Sequence, residues 1–185
     1  MRRRSAAITA GMVVCGLVMT GCTGTQSYDG VLWRQIRAQQ SVVMDELLRP
    51  TQPLLRDTLV DSLRAVSVVW ESGDTPPRFP ATEPASVIYG IRDAGVDDFG
   101  DPVVEFTEFV SSGVRHDVPM DDGRRYKGPS TVYTCYTWEV VFVAGRLWDS
   151  RMTGYAEDVD LECDERLIHR LPQDAIHIAT ADLTG

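Results

Sequence analysis

Lysine is almost missing from this chain of 185 residues: Lys127 is the only one, and arginine supplies the rest of the 18 basic side chains. Histidine is scarce too, with His116, His169 and His177 standing singly. There is no G-x-S-x-G turn, no H-E-x-x-H helix, no Walker-type loop and no dinucleotide-binding glycine loop. Those gaps exclude hydrolases built on a nucleophile elbow, metalloproteases of the two-histidine type and the common nucleotide-binding enzymes. Basic charge is short overall, since 27 acidic residues leave a net charge of −9. A surface of that sign repels phosphate backbones, so nucleic acid is not an expected partner. No cofactor and no metal is implied.

Charge is absent altogether from Ser5 to Tyr28, just after the cationic start Arg2-Arg3-Arg4. The apolar run inside that stretch, Ala6 to Met19, is short of the roughly 20 residues that a permanent membrane helix needs. A positive start followed by a short apolar run is the form of a secretory signal. Immediately after it stands Met19-Thr20-Gly21-Cys22.

That tetrapeptide resembles the lipobox of bacterial lipoproteins, an aliphatic residue, a small or branched one, Gly or Ala, then Cys, with Met19 standing where Leu is usual. The resemblance implies that Cys22 receives a diacylglyceryl group, that residues 1–21 are removed after Gly21, and that the new amino end can be acylated with a palmitoyl-type chain. Cys15 follows the bulky Val14 inside the apolar run and does not fit that pattern. Two acyl chains hold a protein on a bilayer where one lets go, at about 0.8 kcal/mol per buried methylene. The expected product is a tether over 22–27 and a single domain over 28–185, lipid-anchored on the outer face of the cell membrane. Removal of residues 1–21 takes three basic residues and no acidic ones, which brings the formal charge to −12.

Only Cys135 and Cys163 then remain, 28 positions apart and without metal-ligand spacing. Outside the cytoplasm such a pair is most simply a disulfide. In the loop-closure description it removes about 3.6 kcal/mol of denatured-state entropy.

The rest of the chain reads as α+β: an N-terminal helical hairpin packed on a mainly antiparallel sheet, with one disulfide. Leu32, Ile36, Val43 and Leu47 form one helical stripe, interrupted by Gln39 and stopped at Pro50. Thr51 is placed to cap a second helix with Pro53 in its first turn and Leu55, Leu59, Leu63 and Val66 on its apolar face. Strands are expected over 66–70, 86–91 and 131–143. Pro102 to Val110 fits either a helix face through Val103, Phe106 and Val110 or a strand through Val104, Phe106, Glu108 and Val110, and the strand is preferred. "EDVDLECD", residues 157–164, alternates like a half-buried strand with its cysteine inward, after which Asp164 caps a brief helix carrying Leu167, Ile168 and Leu171. Residues 175–180 read as a last edge strand. A tight turn at Ala144-Gly145, followed by another near Gly154, would carry the two cysteines more than about 20 Å apart at ~3.3 Å per residue. A wide hairpin centred on Asp149, with Cys135 opposite Cys163, Thr137 opposite Leu161 and Glu139 opposite Val159, is therefore the expected topology.

Candidate surfaces are few. Arg124, Arg125, Tyr126 and Lys127 put three cations and a phenol in one loop of an acidic protein, suited to contact with an anionic surface such as lipid phosphate or a wall polymer. Tyr133, Tyr136, Trp138 and Trp148 are suited either to a glycan- or peptide-binding surface or to plain packing. His116-Asp117 reads as a solvated pair, and the acidic runs at 157–165 and at Asp97, Asp98 and Asp101 read as solvated faces, since the calcium-loop positions counted from Asp158 hold Cys163 and His169. The expected function is a non-enzymatic binding or interaction module of the cell envelope, with an envelope protein or wall polymer as partner. The alternative is a cell-envelope hydrolase without a recognisable motif.

Overall fold

A computed structural model describes residues 30–50, 52–115, 128–153 and 161–179. Its order is α1 (Gly30–Leu48), a 3₁₀ turn (Arg56–Thr58), α2 (Leu59–Val66), β1 (Val68–Trp70), β2 (Ala85–Val96), β3 (Pro102–Ser111), β4 (Val132–Val143), β5 (Arg146–Thr153), α3 (Glu165–Ile168) and β6 (Ile176–His177). The strands make one mixed six-stranded sheet in the order β1-β2-β3-β4-β5, with β6 beside β4. Pairings β2–β3, β3–β4 and β4–β5 are antiparallel, while β1–β2 and β4–β6 are parallel.

Period decides what each element buries. In α1 the stripe Leu32, Ile36, Val43 and Leu47 is sealed, and its polar interruption is Gln40 rather than Gln39. Gln40 is 1% exposed, with Nε2 3.9 Å from Met152 Sδ. On β3 and β4 the even positions Val104, Phe106, Val110, Val132, Tyr136, Trp138, Val140 and Phe142 join that stripe, Leu59 and Leu63 in the main core. The odd positions face the other way, and Phe109 and Cys135 meet Trp70, Val87, Cys163, Leu167 and Leu171 in a smaller second core. The sheet is thus covered on one side by α1 and α2 and on part of the other by α3.

Three expectations need correction. The second helix begins at Leu59, not near Thr51; Thr51 itself lies outside the described residues. Leu55 bridges to Arg146, with Arg56 N–H donating to the Gly145 carbonyl and Leu147 N–H to the Leu54 carbonyl, so residues 54–56 serve the sheet edge and bury Leu54 instead of Leu55. Extended geometry there satisfies backbone groups that a helix would leave facing the edge of β5.

The wide hairpin is also overturned. Strands β4 and β5 meet in a tight turn at Ala144-Gly145, both with positive φ (48° and 76°), and the pairing runs from Val143–Arg146 to Thr137–Thr153. Thr137 therefore faces Thr153 and Glu139 faces Arg151, not Leu161 and Val159. The tight turn and the disulfide coexist because β5 ends opposite Thr137, two residues short of Cys135. Cys163 packs in the second core on the sheet's other face, with its Cα 5.5 Å from that of Cys135. Residues 161–164 are accordingly irregular rather than β, while residues 157–160 lie outside the described set. The inward cysteine and the Asp164 cap hold: the Asp164 carboxylate accepts from Arg166 N–H at 2.9 Å.

Candidate functional site

The register of β2, β3 and β4 lays Ile88, Glu108 and Tyr136 side by side across the helix-covered face. Glu108 is thereby carried into the main core, with no exposed surface. Trp138 Nε1–H donates to Oε2 at 2.9 Å, and Ser86 Oγ donates to Oε1 at 2.9 Å. Burial pushes the Glu108 carboxyl up to about 7, against hydrogen bonds from Trp138, Tyr136 and Ser86 that favour the charged form. Ser86 Oγ in turn lies 2.8 Å from Ser67 Oγ, which also contacts the Ser86 carbonyl at 3.0 Å. Ser67 ends α2 and borders an open groove of about 380 Å³ lined by Gln39, Arg64, Phe79, Pro84 and Ser86 among others.

This arrangement is a hydrogen-bonded path from a groove to a sealed carboxyl. It can hold a proton at Glu108, but it does not bring the carboxyl to a bound molecule. The sequence carried a signal for it: Glu108 is in phase with Val104, Phe106 and Val110, so the same parity that buries three apolar side chains buries the acid.

The second core is organised around the disulfide, whose Cα atoms are 5.5 Å apart. The Tyr89 hydroxyl accepts from Asp164 N–H at 3.3 Å, and its burial raises the phenol's pKa. Arg166 bonds Asp164 at 2.6 Å while its guanidinium stacks 4.3 Å from the Trp70 ring centroid. That ion pair holds the Asp164 carboxyl below its ordinary range. Beside the bond a recess of about 260 Å³ is lined by Tyr133, Leu161, Glu162, Glu165, Ile168 and His177, with the Tyr133 and His177 rings 5.4 Å apart. Among the described residues no group of three His, Cys, Asp or Glu is placed to hold a metal ion.

The four aromatic candidates do not share a surface. Tyr136 and Trp138 are core residues, 0% and 2% exposed, and Tyr133 lies between Phe109 and His177 on the opposite face. Trp148 alone stands in solvent, at 76% exposure. Phe99 is still more exposed, at 90%, in the β2–β3 turn. That turn is held by Asp97, whose carboxylate accepts from the Phe99 and Asp101 N–H groups at 2.9 Å each. The pairings Val96–Pro102 and Val103–Val141 place the β2–β3 and β4–β5 turns at the same end of the sheet. Cys22, Arg124, Arg125, Tyr126, Lys127 and the pair His116-Asp117 lie outside the described residues. No described helix is long and apolar enough to cross a membrane. Comparison with known proteins finds no matching family model, no matching curated protein and no matching solved structure.

Proposed function

We propose that this chain is a lipid-anchored protein of the outer face of the cell membrane, held through diacylglyceryl and palmitoyl-type groups on Cys22, and that its domain is a non-enzymatic interaction module. In this reading α1 and α2 are the helical hairpin expected from the sequence, closing one side of the sheet. The observation that carries the interaction reading is the turn end of the sheet, where Phe99, Val96 and Trp148 are 90%, 64% and 76% exposed. Isolated exposed apolar side chains are ordinary, but a fixed turn that presents a phenylalanine nearly whole is suited to serve as an anchor for a partner protein. Ordering by Asp97 lowers the entropy that binding would otherwise cost. A hydrolase would need substrate at Glu108, which is sealed in the main core behind Ser86 and Ser67, the two hydrogen-bonded side chains that connect it to the groove.

Two outcomes are expected. Cells fed a radioactive fatty acid label the wild-type chain and leave Cys22→Ala unlabelled; equal labelling of both ends the anchor assignment. Phe99→Ser combined with Trp148→Ser shifts Tm by less than about 3 °C, as surface changes of within ~0.5 kcal/mol do. The same double variant, cross-linked in intact membranes, loses the envelope proteins that the wild type captures. An unchanged set of cross-linked proteins retires this end of the sheet as the contact surface.

A further inference from the structure

We propose that two copies of this chain pair antiparallel along the outer edge of β5, about a two-fold axis through Ser150. The inference does not require the lipid anchor. Among the described residues β5 is the terminal strand next to β4, and an unpaired strand edge is a template for another strand. Part of that edge is already used, because Leu54 and Leu55 engage Leu147 and Arg146. The pairing with β4 is also irregular between Val141 and Phe142: Asp149 faces Val141 and Leu147 faces Phe142, so Trp148 is the extra residue of a bulge. What remains is the regular run Asp149 to Thr153, with Trp148 at its bulged end.

Charge then selects the register. Asp149 and Arg151 face Val141 and Glu139 on the side of the sheet away from α1, and both are exposed. Antiparallel neighbours directly opposite each other point to the same face, so a two-fold pairing must be centred on a residue. Centred on Asp149 or on Arg151, it sets like charges against each other. Centred on Ser150, it sets Asp149 against Arg151 of the second copy, twice by symmetry. The same register brings Trp148 opposite Met152 of the second copy, a favourable aromatic–thioether pair that covers the exposed indole. Glu139 already bonds Arg151 Nε at 3.2 Å, which holds the guanidinium on the face where Asp149 of the second copy would arrive. A two-fold axis normal to the sheet leaves both helical layers on one side.

The test uses the full chain in intact cells, with membranes and medium both sampled. Residues opposite each other on paired strands sit within disulfide reach, so Ser150→Cys is expected to give a species of doubled mass on mild oxidation, absent from the wild type treated alike. Adding Asp149→Arg, or Arg151→Asp, should reduce that species at least tenfold. Co-expressing the two charge variants, each carrying Ser150→Cys, should restore it to at least half of the original yield, because each then meets the opposite sign. Melting curves of the charge variants, matched to wild type, separate lost pairing from lost folding, and Asp149→Arg breaks no ion pair found among the described residues. Absence of the doubled species from Ser150→Cys overturns the proposal, as does indifference to Asp149→Arg. Failure of the mixture to recover overturns it as well.

Discussion

Replacing Cys135 and Cys163 by serine is expected to lower Tm by about 10 °C and the urea midpoint by about 2 M. The bond closes a loop of 28 residues and so removes about 3.6 kcal/mol of freedom from the unfolded chain. For a domain of this size each kcal/mol is worth roughly 2–4 °C, and in urea a slope of about 2 kcal/mol per molar turns the loss into the stated shift. The structure adds a local reason for a large effect. Helix α3 spans only Glu165–Ile168, too short to hold itself, and its fixed points are the disulfide, the Leu167 and Leu171 side chains and the Arg166–Trp70 stack. Once the bond is gone, Trp70 should gain solvent exposure before the main core melts. Tryptophan fluorescence against far-ultraviolet circular dichroism would register the two steps. A midpoint within about 0.3 M of the wild type would contradict this account, since the entropy of so long a loop is far larger.

The second large effect concerns Glu108. Its carboxyl has a folded pKa of about 7 against an ordinary value of 4.5, so between those values the folded protein binds the extra proton. Stability therefore falls as pH rises through that window: the penalty is absent below about 4.5, grows up to about 7 and is complete above it. The shift corresponds to about 3 kcal/mol at pH 8. Glu108→Gln mimics the protonated acid in shape. Its oxygen can still accept from Trp138, and the Ser86 hydroxyl can turn to accept from the amide. The variant is expected to match the wild type near pH 4.5 and to exceed its stability by about 2–3 kcal/mol at pH 8, flattening the slope between. Melting temperatures at half-unit steps from pH 4.5 to 8 would show it. A wild type that grows more stable across that window, with the Gln variant weaker at pH 8, would mean that the hydrogen bonds from Trp138 and Ser86 outweigh burial.

The same two sites show how legible the chain was. The cysteine pair was readable by elimination, and the Asp164 cap by residue type. The α1 stripe was readable by a 3.6-residue period, and the strands at Pro102 and Thr131 by a period of two. Glu108 was in view as a strand position, but parity says only which neighbours share its face. It became a sealed acid because β2 and β4 flank β3 and helices cover that face. Trp138 and Trp148 are the same residue type on consecutive strands, yet one bonds the buried acid and the other stands in solvent.

By itself, then, the sequence determined the elements with strong periods, the acidic balance, the signal-like start with its cysteine, and the two thiols available to pair. Tertiary structure decided the rest: the tight turn at Ala144-Gly145, the irregular path of Leu161 to Asp164 despite its strict alternation, the extended run at Leu54 to Arg56, and the sealing of Glu108. Local pattern specifies which side chains seek burial and at what repeat. Which backbone groups find partners, and which face lies beneath a second layer, depends on segments far away in the chain.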